Sequence, residues 1–172
     1  MLRFNSMETL FYTRYRSDLT DLVLAASVKG LVVLEFDRGE FPPKKSKYQW
    51  EDSPAKLKAY TREMDQYFAG KRREFSFPLD LRGTPFQLAC WNALLAIPYG
   101  ETRSYADIAR AIGYSNAFRA VGMANNRNPI AIVVPCHRVL ASNGTLCGYG
   151  GGLDLKRKLL ELEGALSGTL AA

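Results

Sequence analysis

Ile130-Ala131-Ile132-Val133-Val134 is an unbroken apolar run, rich in β-branched residues and followed at once by Pro135. Such a run has to be buried, and its branching favours extended backbone, so it predicts a core strand. Proline offers no N–H to a sheet ladder and ends it. Directly beyond the stop stand Cys136 and His137, the latter the only histidine in 172 residues. Side chains at the end of a buried strand are held by it, which suits chemistry that needs accurate placement. A core cysteine beside a structural histidine is the plainer reading, and the rest of the chain has to decide between the two.

Before this run the chain reads as a small α/β unit. Residues 8–16 predict a first strand, and Asp21–Ala26 and Gly30–Phe36 predict two more, paired as a hairpin around Val28-Lys29-Gly30. Phe41–Lys47 is a loop by its proline and lysine content. Ser53-Pro54 opens a helix, with Leu57, Tyr60, Met64 and Phe68 as its apolar stripe and Gly70 as its stop. Phe75–Leu81 predicts another short strand, and Arg82-Gly83 is the expected boundary between domains 1–82 and 83–172. No catalytic constellation stands in this half, so a supporting role is expected of it.

The second half reads as helical. Thr84-Pro85-Phe86-Gln87 is a capping box with proline in the first turn, and Phe86, Cys90, Ala93, Leu94 and Ile97 form one apolar face, which places Cys90 in the core. Pro98 and Gly100 end that helix; Ser104 and Asp107 box the next, Tyr105–Ile112, which Gly113 closes. Ser115 or Asn116 is expected to start another, running to about Asn125. Two short helices across a glycine turn predict a helix-turn-helix. The second carries Ala117, Ala120, Gly122 and Ala124, small residues that fit either close core packing or close approach to a groove into which Arg119 reaches. Asp154 is expected to cap a last helix, on which Leu155, Leu159, Leu162 and Glu163 share a face before Gly164. Glu163 is then a carboxylate on an apolar stripe at the disfavoured end of the helix dipole, so it needs a partner, and His137 is the candidate.

Charge narrows the partners. The net charge is +6, and from Ile108 to Leu153 the chain holds no acidic residue while Arg110, Arg119, Arg127 and Arg138 all fall there. At 17 acids in 172 residues, a stretch that long would ordinarily carry about four or five. A surface built from it would be positive, which suits a polyanion. No run approaches the roughly 20 apolar residues of a membrane helix, and no signal-peptide pattern follows Met1. Three cysteines, Cys90, Cys136 and Cys147, leave no fully paired disulfide framework and point to a reducing compartment. One histidine and no Cys-x-x-Cys argue against a structural zinc site.

Pro135-Cys136-His137-Arg138-Val139, with Asn128 upstream and Gly150-Gly151-Gly152-Leu153 downstream, resembles the active-site signature of the O6-alkylguanine-DNA alkyltransferases, the methylated-DNA–protein-cysteine methyltransferases. The likeness is close over residues 84–164 and looser before. It implies an α/β (α+β) fold: a small ribonuclease H-like N-terminal domain, then a mostly helical domain with a winged-helix-like helix-turn-helix. It implies DNA repair by direct reversal in single-turnover fashion, the alkyl group passing from guanine O6 in duplex DNA to Cys136 after base flipping.

The resemblance also implies roles. His137, oriented by Glu163, takes the thiol proton through a water; Asn128 ties the active-site turn to the helix-turn-helix; Tyr105 donates at guanine N3. Arg119 fills the vacated stack, and Ala106, Tyr114, Ser115, Asn116, Ala117 and Ser142 join Tyr105 on the DNA face. Pro135, Val139, Tyr149 and Gly150 line the base pocket, with glycine at 150 where relatives often have serine. No cofactor is implied, and the zinc of some relatives lacks ligands here. The implied protein is a cytoplasmic, DNA-associated monomer. Cooperativity on DNA, the range of adducts and repair of O4-alkylthymine stay open. Two other classes also stay open: a cysteine hydrolase using Cys136, His137 and Glu163, and a non-catalytic alkylated-DNA-binding module, against which the intact Cys136 argues. Cys147 reads as incidental, a redox pair with Cys136 being the alternative.

Overall fold

The computed structural model describes residues 7–166. β1 (Thr9–Arg16), β2 (Asp21–Ala26) and β3 (Leu31–Phe36) form an antiparallel meander, and β4 (Gln49–Asp52) pairs with β1 in parallel, giving the order β3-β2-β1-β4. The expected hairpin closes with Ser27 N–H donating to Gly30 O at 2.9 Å. A Cβ on Gly30 would lie 2.5 Å from the Pro78 carbonyl oxygen, so glycine is what lets the returning chain cross this close. β4 is not foreshadowed by any apolar alternation. α1 (Pro54–Phe68) buries Leu57, Met64 and Tyr67 against the sheet, with Tyr60 and Phe68 only partly covered. Pro54 does open the helix, yet the Ser53 side chain makes no cap hydrogen bond. The strand expected over Phe75–Leu81 reduces to a single bridge, Leu79 to Leu31, because the chain here only crosses the end of β3.

The second half is mostly helical: α2 (Pro85–Leu95), α3 (Tyr105–Ala111), α4 (Phe118–Asn126) and α5 (Leu153–Leu162), with a parallel ladder of β5 (Arg103–Ser104) and β6 (Val139–Leu140). Both capping boxes form, Thr84 with Gln87 and Ser104 with Asp107. Cys90 is fully buried on α2, and Trp91 Nε1 donates to Ala124 O at 3.0 Å, locking α2 to α4. Two helix starts differ from expectation. α4 begins at Phe118 because a turn, Ala117 N–H to Tyr114 O at 2.8 Å, occupies the residues before it. α5 is capped by Gly152, at φ 87°, leaving Asp154 in the first turn, where its charge meets the positive end of the helix dipole.

The run Ile130–Val134 is buried as expected, but it is not a strand. Only Ile130 bridges to Leu34; beyond it Val133 N–H donates to Ala131 O (2.8 Å) and Val134 N–H to Ile130 O (2.9 Å), coiling the chain into a tight turn. Ile132 takes φ 70°, a conformation that costs a β-branched residue energy and persists only where its surroundings impose it. Those surroundings are specific. Leu34 N–H donates to Pro129 O (2.9 Å) and Ala131 N–H to Leu34 O (2.8 Å), so the edge of the N-terminal sheet holds the turn from one side. The β5–β6 ladder holds its exit from the other, and β5 runs straight into Tyr105 at the start of α3. No described helix is long and apolar enough to cross a membrane.

Candidate active site

Pro135 leads into one turn of 3-10 helix, Cys136–Arg138. Asn128 holds this turn: its Nδ2 donates to Val134 O (2.7 Å) and to Cys136 Sγ (3.2 Å), while its Oδ1 accepts from Ile130 N–H (3.0 Å). Cys136 is 9% exposed and forms part of the wall of a cleft of about 1340 Å³, together with Asn125, Tyr149 and Gly150. Burial pushes its thiol up; the Asn128 hydrogen bond and the Lys156 charge pull the other way without prevailing. At rest this cysteine is a thiol, and it needs a base.

His137 supplies one. It is fully buried, with Nε2 2.8 Å from Glu163 Oε1. Glu163 also accepts from Tyr67 OH (2.6 Å), Arg138 Nε (2.7 Å) and Arg138 Nη2 (3.0 Å), and Arg138 Nη1 donates to Ile97 O (2.7 Å). Burial alone would raise the Glu163 carboxyl, but hydrogen bonds from His137 and Arg138 outweigh it and hold the group at about 2. Glu163 is therefore a carboxylate, an acceptor only, so the proton between them sits on Nε2 and the lone pair of His137 on Nδ1. Burial also depresses the imidazole despite Glu163, keeping it neutral. Nδ1 is buried and has no partner among the described residues. The imidazole is thus a base fixed in the tautomer that can accept at Nδ1.

Several members of this cluster carry no sequence signal. Tyr67 comes from α1, 96 residues before Glu163. Arg138, expected on a positive surface, is buried and spends its charge on Glu163. Lys156 is fully buried, its Nζ donating to Val139 O (2.6 Å) and Cys147 O (2.8 Å), which ties β6 and the loop after it to α5. The Asn125 amide, buried against the cleft, has no partner among the described residues.

The remaining predicted residues fall into two groups. Tyr149, with its hydroxyl buried and unpartnered among the described residues, stands edge-on to Phe36 (5.6 Å) and to His137 (6.4 Å), whereas Pro135 and Val139 are buried and do not line the cleft. Gly150 lends its carbonyl to Arg38 Nη2 (3.0 Å), a contact between the two halves of the chain. Tyr105, Ala106 and Ser142 lie instead around a second depression of about 450 Å³, with Phe118 and Gly122 of α4. Burial pushes the Tyr105 phenol well up, so it is a proton donor. Tyr114, Ser115 and Asn116 are exposed on the turn before α4, half-buried Ala117 follows, and Arg119 projects from the helix over the Phe118 ring. Arg110 pairs with Asp107, whereas exposed Arg119 and Arg127 have no carboxylate partner among the described residues. The open positive charge is thus narrower than the arginine count implied, and it lies on α4 and its exit.

Comparison with known proteins points one way. Residues 85–165 match the family described as 6-O-methylguanine DNA methyltransferase, DNA binding domain, and residues 10–81 match the ribonuclease-like domain of the same methyltransferase. The methylated-DNA–protein-cysteine methyltransferase of Methanosarcina acetivorans is 46% identical over 160 residues, covering 91% of this chain and 99% of its own. That of Mycobacterium tuberculosis is 48% identical over 154 residues, covering 90% and 92%. A crystal structure of Mycobacterium tuberculosis OGT in complex with DNA superposes with a TM-score of 0.82 at 47% identity, covering 90% of this chain and 93% of that one.

Proposed function

The chain belongs to the O6-methylguanine-DNA methyltransferase family, and from that premise we propose that Cys136 is the alkyl acceptor, served by His137, Glu163, Asn128 and Tyr105. The activity is direct reversal of damage in duplex DNA: the alkyl group leaves O6 of guanine and forms a thioether with a cysteine. The bond made is S–C and the bond broken is C–O6, so each chain acts once.

The observation that carries the assignment is the buried His137–Glu163 pair beside a cysteine on the cleft wall. In the proposed sequence the Cys136 proton passes through a water to Nδ1 of His137. Glu163 stabilises the imidazolium that results, and Asn128 Nδ2 steadies the charge on sulfur. The thiolate displaces guanine at the sp³ carbon, and Tyr105 donates to N3 as charge grows on the leaving base. The departing guanine keeps the proton from Tyr105, which takes one back from solvent while the His137 imidazolium releases its own. The net change is one proton moved from sulfur to the base, so atoms and charge balance. Tyr149 and Gly150 enclose the base. Arg119 enters the space left by the flipped nucleotide, offsetting part of the few kcal/mol of lost stacking, while Ala106, Tyr114, Ser115, Asn116, Ala117 and Ser142 carry the flanking DNA.

We divide the chain at Arg82-Gly83, which lies between the two matched stretches. Its three free cysteines suit the reducing cytoplasm. No three His, Cys, Asp or Glu side chains cluster as metal ligands among the described residues, so these residues do not fit the zinc of some relatives.

Mixing the protein with excess duplex containing O6-methylguanine and digesting it gives a Cys136 peptide heavier by one methyl group, with transfer reaching a plateau at one methyl per chain. Loss of methyl from DNA with an unmodified Cys136 peptide, or continued turnover, sinks the assignment.

A further inference from the structure

The cleft that contains Cys136 has a second wall, and it comes from the other domain. The loop of residues 37–48, between β3 and β4, brings Arg38, Lys44 and Lys47 to the same cavity as the sulfur. This loop is anchored. Arg14 donates to Asp37 Oδ2 (2.9 Å) and to Phe41 O (2.8 Å), Phe41 packs on Trp50 (4.8 Å), and Arg38 donates to Gly150 O (3.0 Å). Arg38 is thereby committed to holding the loop against the active-site segment. Lys44, Lys45 and Lys47 are exposed, and none has a carboxylate within 4 Å among the described residues. Glu35 and Glu40 share this wall, so its charge is concentrated on the lysines and not spread evenly.

The same cleft is also lined by Asn125 and Asn126, from the last turn of α4, the helix that carries Arg119. A nucleotide that leaves a duplex lying on α4 and enters this cleft keeps its backbone at the cleft mouth. Its flanking phosphates then pass between α4 and the lysine loop. Ammonium groups without carboxylate partners beside that path, Lys47 resting only over the Tyr48 ring at 5.1 Å, are what phosphate oxygens require.

We propose that Lys44 and Lys47 hold the phosphodiester backbone of the damaged strand next to the extruded nucleotide, making the N-terminal domain one side of the DNA-binding surface. The inference rests on the alkyl-transfer reading above and assigns a binding task to the half of the chain that has no catalytic group.

The test compares the full-length protein with the double variant Lys44→Ala/Lys47→Ala and with Glu40→Gln. Each is titrated with a duplex containing O6-methylguanine between 50 and 200 mM salt, in a Cys136→Ser background so that no methyl moves. Losing two phosphate contacts lowers the slope of log affinity against log salt by about 1.8 and weakens binding about tenfold at physiological salt. Glu40→Gln strengthens binding about twofold, since it removes a repulsive charge. With Cys136 present, methyl transfer at saturating DNA stays within about twofold for both variants, and only the half-saturating DNA concentration moves. An unchanged slope and affinity in the lysine variant overturn the proposal. So does a fall in the saturated rate together with the thermal midpoint, which would make the lysines structural. If the parent chain itself transfers no methyl, it is the alkyl-transfer reading that fails, whatever the slopes.

Discussion

Around Glu163 every charge is dry and partnered, whereas along α4 the charge is wet and open. Glu163 holds hydrogen bonds from His137, Arg138 and Tyr67 at 2.6–3.0 Å, with its side chain wholly out of solvent. Arg119 stands on an exposed face beside Phe118, 47% exposed, and Met123, 61% exposed. Desolvated charges keep a geometry because breaking it leaves an ion stranded. Solvated ones are cheap to displace and free to meet a partner. Substitutions in the first region should therefore be felt throughout the fold, and those in the second only on DNA.

The largest effect is expected for Glu163→Gln, which leaves Arg138 buried without its counter-ion. Stability falls by about 3–5 kcal/mol in urea unfolding, and whatever folds transfers methyl groups slowly because His137 loses the carboxylate charge that stabilises its imidazolium. The same residue sets an acid limb. Its carboxyl moves from 4.5 to about 2 on folding, so its contribution is complete above pH 4.5 and is lost as pH falls towards 2. His137 adds in the same direction, since burial depresses it below 6.5 and the unfolded chain takes up that proton first. Wild-type stability should decline from about pH 6.5 downwards and steepen below 4.5, and Glu163→Gln should lose the lower limb. A variant as acid-sensitive as the parent would mean that another carboxylate carries the effect.

Next comes Arg119→Ala. Transfer from duplex DNA is expected to slow about a hundredfold, corresponding to roughly 3 kcal/mol of unstacking left uncompensated. Urea midpoints should stay within about 0.5 kcal/mol of the parent, as for an open surface position. A large loss of stability would place Arg119 with Glu163 and erase the contrast.

The same contrast explains what could be read from the chain alone. Thr84 with Gln87 and Ser104 with Asp107 were legible because a capping box is complete within four residues. The stripe that placed Glu163 on a buried face was legible because helical periodicity is likewise local, set within the nine residues Leu155–Glu163. The start of α4 was not, since Ser115 and Asn116 belong to a turn whose conformation no cap preference specifies. Nor was the path of Ile130–Val134: burial can be read from an apolar run, but a strand and a coiled turn bury it equally well. Its fold is decided by Asn128 and by the edge of β3, and the φ of 70° at Ile132 contradicts the residue's own preference. Arg138 and Lys156 look solvated in sequence because their partners arrive only with the tertiary fold.

Tyr67→Phe is the smallest of these changes and tests where the dry region ends. It removes one buried hydroxyl that donates to Glu163 Oε1 at 2.6 Å and leaves the His137 and Arg138 contacts in place. Burial and the nearby Glu163 charge hold the phenol well above its ordinary range, so it is a neutral donor, and its loss should cost about 1–2 kcal/mol. Methyl transfer should fall only a fewfold, because Nδ1 of His137 keeps its lone pair while the carboxylate keeps two other partners. If transfer instead falls as far as in Glu163→Gln while stability drops only slightly, then α1 does more than support the sheet. The acid behind His137 would depend on a side chain from the domain that carries no chemistry of its own, and the division between a supporting and a reacting half would have to be redrawn through Tyr67.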